Sequence, residues 1–420
     1  MSLILLISIL LILQGVVEFI LLFLNQRKII TGLNHKPSQI ADYFSEENWR
    51  QCSLYNIEKS KFAKITNLFG LIFSLVTLYF FFPFFLAEFN LGRDAGIWGI
   101  SSQISFFIVI LQLPSLFSDW YYQFRIEEKF GFNKQTISLW LTDKLKESLI
   151  SFGLITVMLA LIILLYRSLS ELAPNSWWLW CCAGVFAVQI ILMIIWPSLI
   201  LPIFNKITPL EDASLREKLE SLSVKTGFVA KKIEVMDGSK RSGHSNAFFT
   251  GFGKFRRIIL FDTLIDQMNE NEVEAVVAHE IGHYRRGHIP KRLLLSFVSC
   301  LLILFLIHLS IQYNWIVDQF NLGISMSGSI APVLLTIILF GGAFTFWMKP
   351  VSNILSRKHE YEADSYAASV IDQPLHMRSA LKKLCVENLS YPLPHLLLAW
   401  FYHSHPTILE RDQALSGTPA

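Results

Sequence analysis

Val276-Val277-Ala278-His279-Glu280-Ile281-Gly282-His283, soon followed by the apolar run Leu293-Leu294-Leu295-Ser296-Phe297-Val298-Ser299-Cys300-Leu301-Leu302-Ile303-Leu304, decides what kind of molecule this is. The first half is an H-E-x-x-H pattern in an apolar-periodic segment with no Pro and one Gly. On a helix, His279 and His283 stand at i and i+4, so both imidazoles leave one face about a turn apart. Two neutral nitrogens at that spacing can grip one zinc ion. Glu280 then lies beside the metal, placed to take a proton from the attacking water. The second half joins this helix, through Lys291 and Arg292, to a segment of membrane-spanning length.

The rest of the chain agrees with a membrane setting. Of 420 residues, 53% are hydrophobic and 16% charged, against about 25% charged in an average soluble domain. Apolar runs at 3–24, 66–88, 96–118, 148–166, 177–203, 293–313 and 329–348 each approach the ~20 residues needed to cross the hydrocarbon. The first lacks a basic n-region and a small-residue cleavage site and is too long for a signal peptide, so it reads as a retained helix. Glu18 lies inside it, where an ionised carboxylate costs on the order of 2.5–3.5 kcal/mol. It must therefore face a wet cavity or a hydrogen-bonding neighbour.

A net charge of +3 gives no reason to expect nucleic acid. Its distribution is more informative. Loop 25–65 carries Arg27, Lys28, Lys36, Arg50, Lys59, Lys61 and Lys64, and loop 119–147 carries Arg125, Lys129, Lys134, Lys144 and Lys146. The alternate loops hold Arg93, Arg167 and, before the seventh span, no Lys or Arg. The positive-inside rule then puts the N-terminus outside and the polar segments 205–292 and 351–420 in the cytoplasm. The five cysteines, Cys52, Cys181, Cys182, Cys300 and Cys385, have no zinc or disulfide spacing and read as packing residues in a reducing setting.

The chain divides into spans one to five with their loops (1–204), a catalytic segment (205–292), spans six and seven (293–350) and a second polar segment (351–420). In the first polar segment an amphipathic helix around Ser214–Leu222 precedes three strand-like runs, 233–236, 246–250 and 257–261, with Gly251 and Gly253 marking a hairpin between the last two. Zinc in a hydrolase needs a third protein ligand and an open position for water. In the second polar segment Asn353, Arg357, Glu360 and Asp364 fall on one helical stripe, at steps of four, three and four. Glu360 can be the third ligand and Asp364 can orient a ligating imidazole. A solvated charged face is the competing reading, and Glu362, off the stripe, is a rival ligand.

The pattern Asn353, Ser356, Arg357, Glu360, Ala363, Asp364 after His279-Glu280-Ile281-Gly282-His283 resembles the type I CAAX prenyl endopeptidases, integral-membrane zinc metalloproteases of the gluzincin type. Glu128-Lys129-Phe130-Gly131-Phe132-Asn133 with Thr136 is similar to that family's loop between spans three and four. His244-Ser245-Asn246-Ala247-Phe248-Phe249-Thr250-Gly251 and Arg257–Leu264 are similar to its strand region, and Ser404-His405-Pro406 with Glu410-Arg411 to its C-terminal block. The strand region is more like bacterial members. The resemblance implies seven helices enclosing a water-filled chamber. It implies His279, His283 and Glu360 as ligands of one zinc per chain, and Glu280 as base. It also implies His405, supported by Arg411, near the reaction centre. The substrate implied is a protein prenylated at a C-terminal CAAX, with membrane lipid as surroundings. An extended peptide would add along the strand at Asn246 and Ala247. Location would be the bacterial inner membrane, or the endoplasmic reticulum membrane in a eukaryote. Two other functions compete: a membrane-protein quality-control protease with no need of prenylation, and a non-enzymatic scaffold or transporter with a vestigial zinc site. The intact Glu280 counts against the last, because a structural zinc site needs no base and is closed by four ligands.

Overall fold

In the computed structural model, residues 2–89, 91, 95–228, 232–250, 256–320 and 328–417 are described. Seven long apolar helices account for all seven expected spans. They begin with α1 (Leu3–Gly32), α2 (Glu46–Glu88), α3 (Ile97–Glu127), α4 (Ile137–Leu169) and α5 (Trp177–Phe204). Helices are the natural solution, since each main-chain polar group in lipid must be bonded within its own segment. Several run beyond the hydrocarbon, carrying the basic loop ends as extra helical turns.

The first catalytic segment then folds as β1 (Ile207–Pro209), α6 (Ala213–Thr226), β2 (Lys232–Met236), β3 (Ala247–Thr250) and β4 (Arg257–Phe261), followed by α7 (Glu270–Arg285). The strands form one sheet in the order β1-β2-β4-β3. β2 and β4 are parallel, with Ile233 opposite Ile258, while β3 runs antiparallel to β4, with Ala247 opposite Leu260. The pairing expected of the last two runs is present; Gly251 and Gly253 lie outside the described residues. The three-residue β1 was not expected, being too short and too close to Pro209 to read as a strand. β3 closes one end of the sheet and packs against α7.

Helix α7 starts at a capping box formed by Asn269 and Glu272, which satisfies two otherwise orphaned donors. It does not run unbroken into the membrane. Gly287, at φ +67°, turns the chain between α7 and the sixth spanning helix, α8 (His288–Gln312). The seventh, α9 (Ala331–Val370), continues past Pro350 out of the apolar region and carries the whole Asn353–Asp364 stripe. After a break near Pro374 come α10 (Leu375–Glu387), α11 (Leu396–Tyr402) and α12 (Ile408–Ser416).

Two large apolar cores and a small third one, around Leu21, Phe346, Leu398 and Phe401, hold the described residues together. Of the two large ones, one fills the membrane part around Phe82, Ile104, Ile163 and Leu335. The other joins Val277 and Ile281 of α7, Leu219 of α6 and Ile258 of β4 to Ile40, Phe44 and Trp49 of the α1–α2 region. In the most apolar windows of the first six spans only 11 to 28% of residues are buried, against 50% in the seventh. The seventh span is therefore the most enclosed, while the first six leave most of their surface to lipid or to the interior. Glu18 lines a cavity of about 620 Å³ between α1 and α2 and is also bonded. It accepts from Asn67 Nδ2 at 2.5 Å and Tyr402 O–H at 2.7 Å, as the hydrogen-bonding reading expects.

Candidate metal centre and active site

The two H-E-x-x-H imidazoles leave α7 toward α9. Their Nε2 atoms approach to 3.2 Å. Glu360 meets them from α9, with Oε2 3.4 Å from His279 Nε2 and Oε1 3.3 Å from His283 Nε2. The two imidazoles thus face the two oxygens of one carboxylate, and one ligand atom from each of the three residues lies within 4.8 Å of the others, close enough to share a single ion. Glu360 is 1% exposed, and its Oε2 has no aligned hydrogen bond despite lying 2.8 Å from His405 Nδ1. A buried carboxylate that turns one oxygen to each of two imidazole nitrogens, one of those oxygens lacking an aligned hydrogen bond, fits a cation.

Gly282 makes the convergence possible. A Cβ there would stand 2.9 Å from the Ala363 carbonyl oxygen and 3.0 Å from its Cα. Only a glycine lets α7 and α9 come this close, and Ala363 is itself the smallest side chain that α9 can offer.

Each imidazole is aimed from behind. Asp364 Oδ1 lies 2.8 Å from His279 Nδ1 and is held in turn by Arg411, whose Nη2 and Nε donate at 2.6 and 2.7 Å. This leaves His279 Nε2 free to face the centre. Burial acts to lower the His279 pKa, but the neighbouring Asp364 and Glu360 carboxylates outweigh it and raise it to about 9. The pocket thus holds positive charge strongly. His283 has its own support: its Nδ1 shares a 2.9 Å hydrogen bond with His288 Nδ1. His288 Nε2 reaches Glu362 Oε2 at 2.9 Å, and its ring stacks on His359 at 4.0 Å.

The sequence-expected residues are therefore mostly brought together, with some roles redistributed. Arg411 supports Asp364 rather than acting as an accessory to His405. Asn353 and Arg357 touch no ligand; Asn353 Nδ2 donates to Phe401 C=O at 2.6 Å and Arg357 Nη1 to His403 C=O at 2.7 Å. They clamp the chain that leads to His405. Glu362, the rival ligand, is instead the carboxylate behind His288. Neither His288 nor this use of Glu362 was read from the sequence. The one available signal was a histidine five residues beyond His283, but it lies across the Gly287 turn, where helical spacing no longer applies.

Glu280 is half-buried beside the three converging side chains. Burial pushes its carboxyl pKa up, while the neighbouring histidines pull against that shift. A cavity of about 590 Å³ opens nearby, lined by Asn246, His405 and Arg411 among others. Asn246 is exposed and Ala247 buried. Asn246 C=O accepts from Phe261 N–H at 3.1 Å, on the β4 side. The alternation of an antiparallel ladder then turns the Ala247 N–H to the free edge, where Asn246 Oδ1 accepts it at 2.9 Å.

Comparison with known proteins agrees with this geometry. Residues 26–206 match the family model described as the CAAX prenyl protease N-terminal region with five membrane helices, and residues 209–418 match peptidase family M48. The chain is 33% identical to CAAX prenyl protease 1 of Saccharomyces cerevisiae, over 90% of this chain and 88% of that protein. It is also 33% identical to the CAAX prenyl protease 1 homolog of Arabidopsis thaliana, over 91% and 90%. The crystal structure of S. mikatae Ste24p superposes with a TM-score of 0.85 at 32% identity, covering 98% of each chain. An H-E-x-x-H helix and a Glu-bearing helix meeting at the mouth of seven membrane spans, together with these matches, place the chain in peptidase family M48, as a multi-pass membrane metalloprotease acting on protein or peptide substrates.

Proposed function

We propose that this chain is a zinc endopeptidase that removes C-terminal residues from prenylated CAAX proteins on the cytoplasmic side of its membrane. That membrane is the bacterial inner membrane, or the endoplasmic reticulum membrane if the host is eukaryotic. The observation that carries the reading is the convergence of His279, His283 and Glu360, whose ligand atoms lie within 4.8 Å of one another around a buried carboxylate. One zinc per chain at those three residues would supply Lewis acidity, polarising the scissile carbonyl and acidifying the attacking water.

The chain's own groups do the rest. Glu280 accepts the water's proton and returns it to the leaving amine, and the burial that raises its pKa favours its holding the proton between those two steps. His405 donates to the carbonyl oxygen as negative charge builds there. Asp364 with Arg411, and Glu362 through His288, keep the two ligating rings aimed. The free edge of β3 at Asn246 and Ala247 pairs with the extended substrate through main-chain hydrogen bonds.

The purified, zinc-loaded protein is incubated with a farnesylated CAAX peptide and with its unprenylated twin, each with and without a zinc chelator. Cleavage of the farnesylated peptide alone, abolished by chelator, is the expected result. Equal cleavage of both would move the function to quality control of membrane proteins. Cleavage of neither would end the peptidase reading for these substrates.

A further inference from the structure

The start of β3 is tied down from two directions, by residues the reaction itself does not use. Asn388, just beyond α10, grips Ser245 with both ends of its amide. Ser245 N–H donates to Asn388 Oδ1 at 3.1 Å, and Asn388 Nδ2 donates to Ser245 C=O at 3.4 Å. This two-point contact fixes which end of the amide is oxygen. The same Oδ1 faces His244 Nδ1 at 3.1 Å. The other ring nitrogen, Nε2, lies 3.0 Å from Glu127 Oε2. Glu127 is buried at the end of α3, where its Oε1 accepts from Tyr55 O–H at 2.5 Å. The His244 ring stacks on Phe132 at 3.9 Å and 17°, and Gly243 N–H donates to Phe132 C=O at 2.9 Å.

With an acceptor at each ring nitrogen, the imidazole is a strut between the end of the third span and the residue that precedes Ser245. We infer that His244 and Asn388 are positioning residues for substrate. They hold Ser245 so that the Ala247 N–H, two residues on, stands at the free edge in the register an extended peptide needs. Register is the sensitive quantity, because a slip of one residue turns every donor and side chain to the opposite side. Their bonds run to Ser245 and Glu127, not to His279, His283 or Glu360. Ser245, Asn246 and Asn388 nevertheless line the cavity that holds His405 and Arg411. The Gly131-Phe132-Asn133 block, which the chemistry leaves unused, gains a purpose as the wall against which the strut stands. The inference rests on the reading that substrate pairs with β3.

The test compares a long peptide, spanning several residues on each side of the scissile bond, with a short one that barely reaches the strand. His244→Ala and Asn388→Ala should each lower kcat/KM for the long peptide about tenfold, mainly through KM, the effect of losing a pair of positioning hydrogen bonds. The short peptide should be cleaved nearly as by the parent, and zinc content should be unchanged. Asn388→Asp, which keeps the acceptor shared by Ser245 and His244, should recover part of the loss. Equal losses for long and short peptides, parental rates in both alanine variants, or loss of zinc in both would overturn the inference. Ala247→Pro separates this failure from that of its premise. If Ala247→Pro also spares the long peptide, substrate does not pair with β3; if it alone is crippling, only the strut is wrong.

Discussion

Glu280 and Glu360 sit within the same constellation, yet only Glu360 joins His279 and His283 in the cluster of converging ligand atoms. Glu280→Gln should therefore keep its zinc by elemental analysis while kcat falls by ~10²–10⁴, the usual worth of a positioned proton acceptor. Metal loss in that variant would make Glu280 a ligand and reopen the assignment. His279 carries a second residue-scale expectation. A ligating imidazole must be neutral, but with its pKa raised to about 9 the metal-free ring holds a proton at neutral pH. Zinc must displace that proton, so apparent affinity should fall as pH drops below about 9, by up to about tenfold per unit from this group. Asp364→Asn removes the partner that does most to raise the pKa. It should flatten the slope in zinc-competition titrations and weaken binding ~10–100-fold where the ring is already neutral. An unchanged slope would mean that Asp364 does not hold the ring charged. The i, i+4 histidines and the Glu360–Asp364 stripe were legible because helical period alone puts them on one face. The His283–His288–Glu362 chain was not, because it crosses a left-handed glycine and two helices whose approach no local pattern encodes.

At the scale of elements, the decisive contact is α7 against α9. Gly282 reads in the sequence as a tolerable helix interruption; in the structure it is the point where the Ala363 backbone approaches within what a Cβ could not share. Because the obstructing atoms are main chain, no side-chain rotation relieves the clash, and Gly282→Ala must push the helices apart. Overpacking of this kind costs about 1–3 kcal/mol, and here the displacement falls directly on the His–Glu cluster. We expect Gly282→Ala to fold with a lowered thermal midpoint and to bind zinc more weakly than the parent; parental zinc affinity would show that the helices can part without disturbing the ligands. The strands were only partly legible. Alternation marked β2, β3 and β4, but β1 is three residues long, and the parallel pairing of β2 with β4 depends on a crossover that short-range patterns do not specify.

Across the whole molecule, the seven spans were legible in the apolar runs, and charge is what supports the cytoplasmic side proposed for the active site. Loop 25–65 has seven basic residues and loop 119–147 has five, against one, one and none in the alternate loops. Each Lys or Arg resists translocation. Packing ties the active site to the basic side: Ile40, Phe44 and Trp49, from the basic loop, lie in the same core as Val277 and Ile281 of the H-E-x-x-H helix. Whatever orientation the basic loops take, the metal centre must share, since separating them would expose that core. A reporter fused after Ala420 should therefore give a cytoplasmic signal, and one inserted between the sixth and seventh spans the opposite. A C-terminal reporter active only outside would put the peptidase core outside with its basic loops, against the charge rule. It would also rule out cytoplasmic CAAX proteins as substrates, because their scissile bonds would never meet His279, His283 and Glu360. Exported or membrane proteins would then be the substrates left within reach.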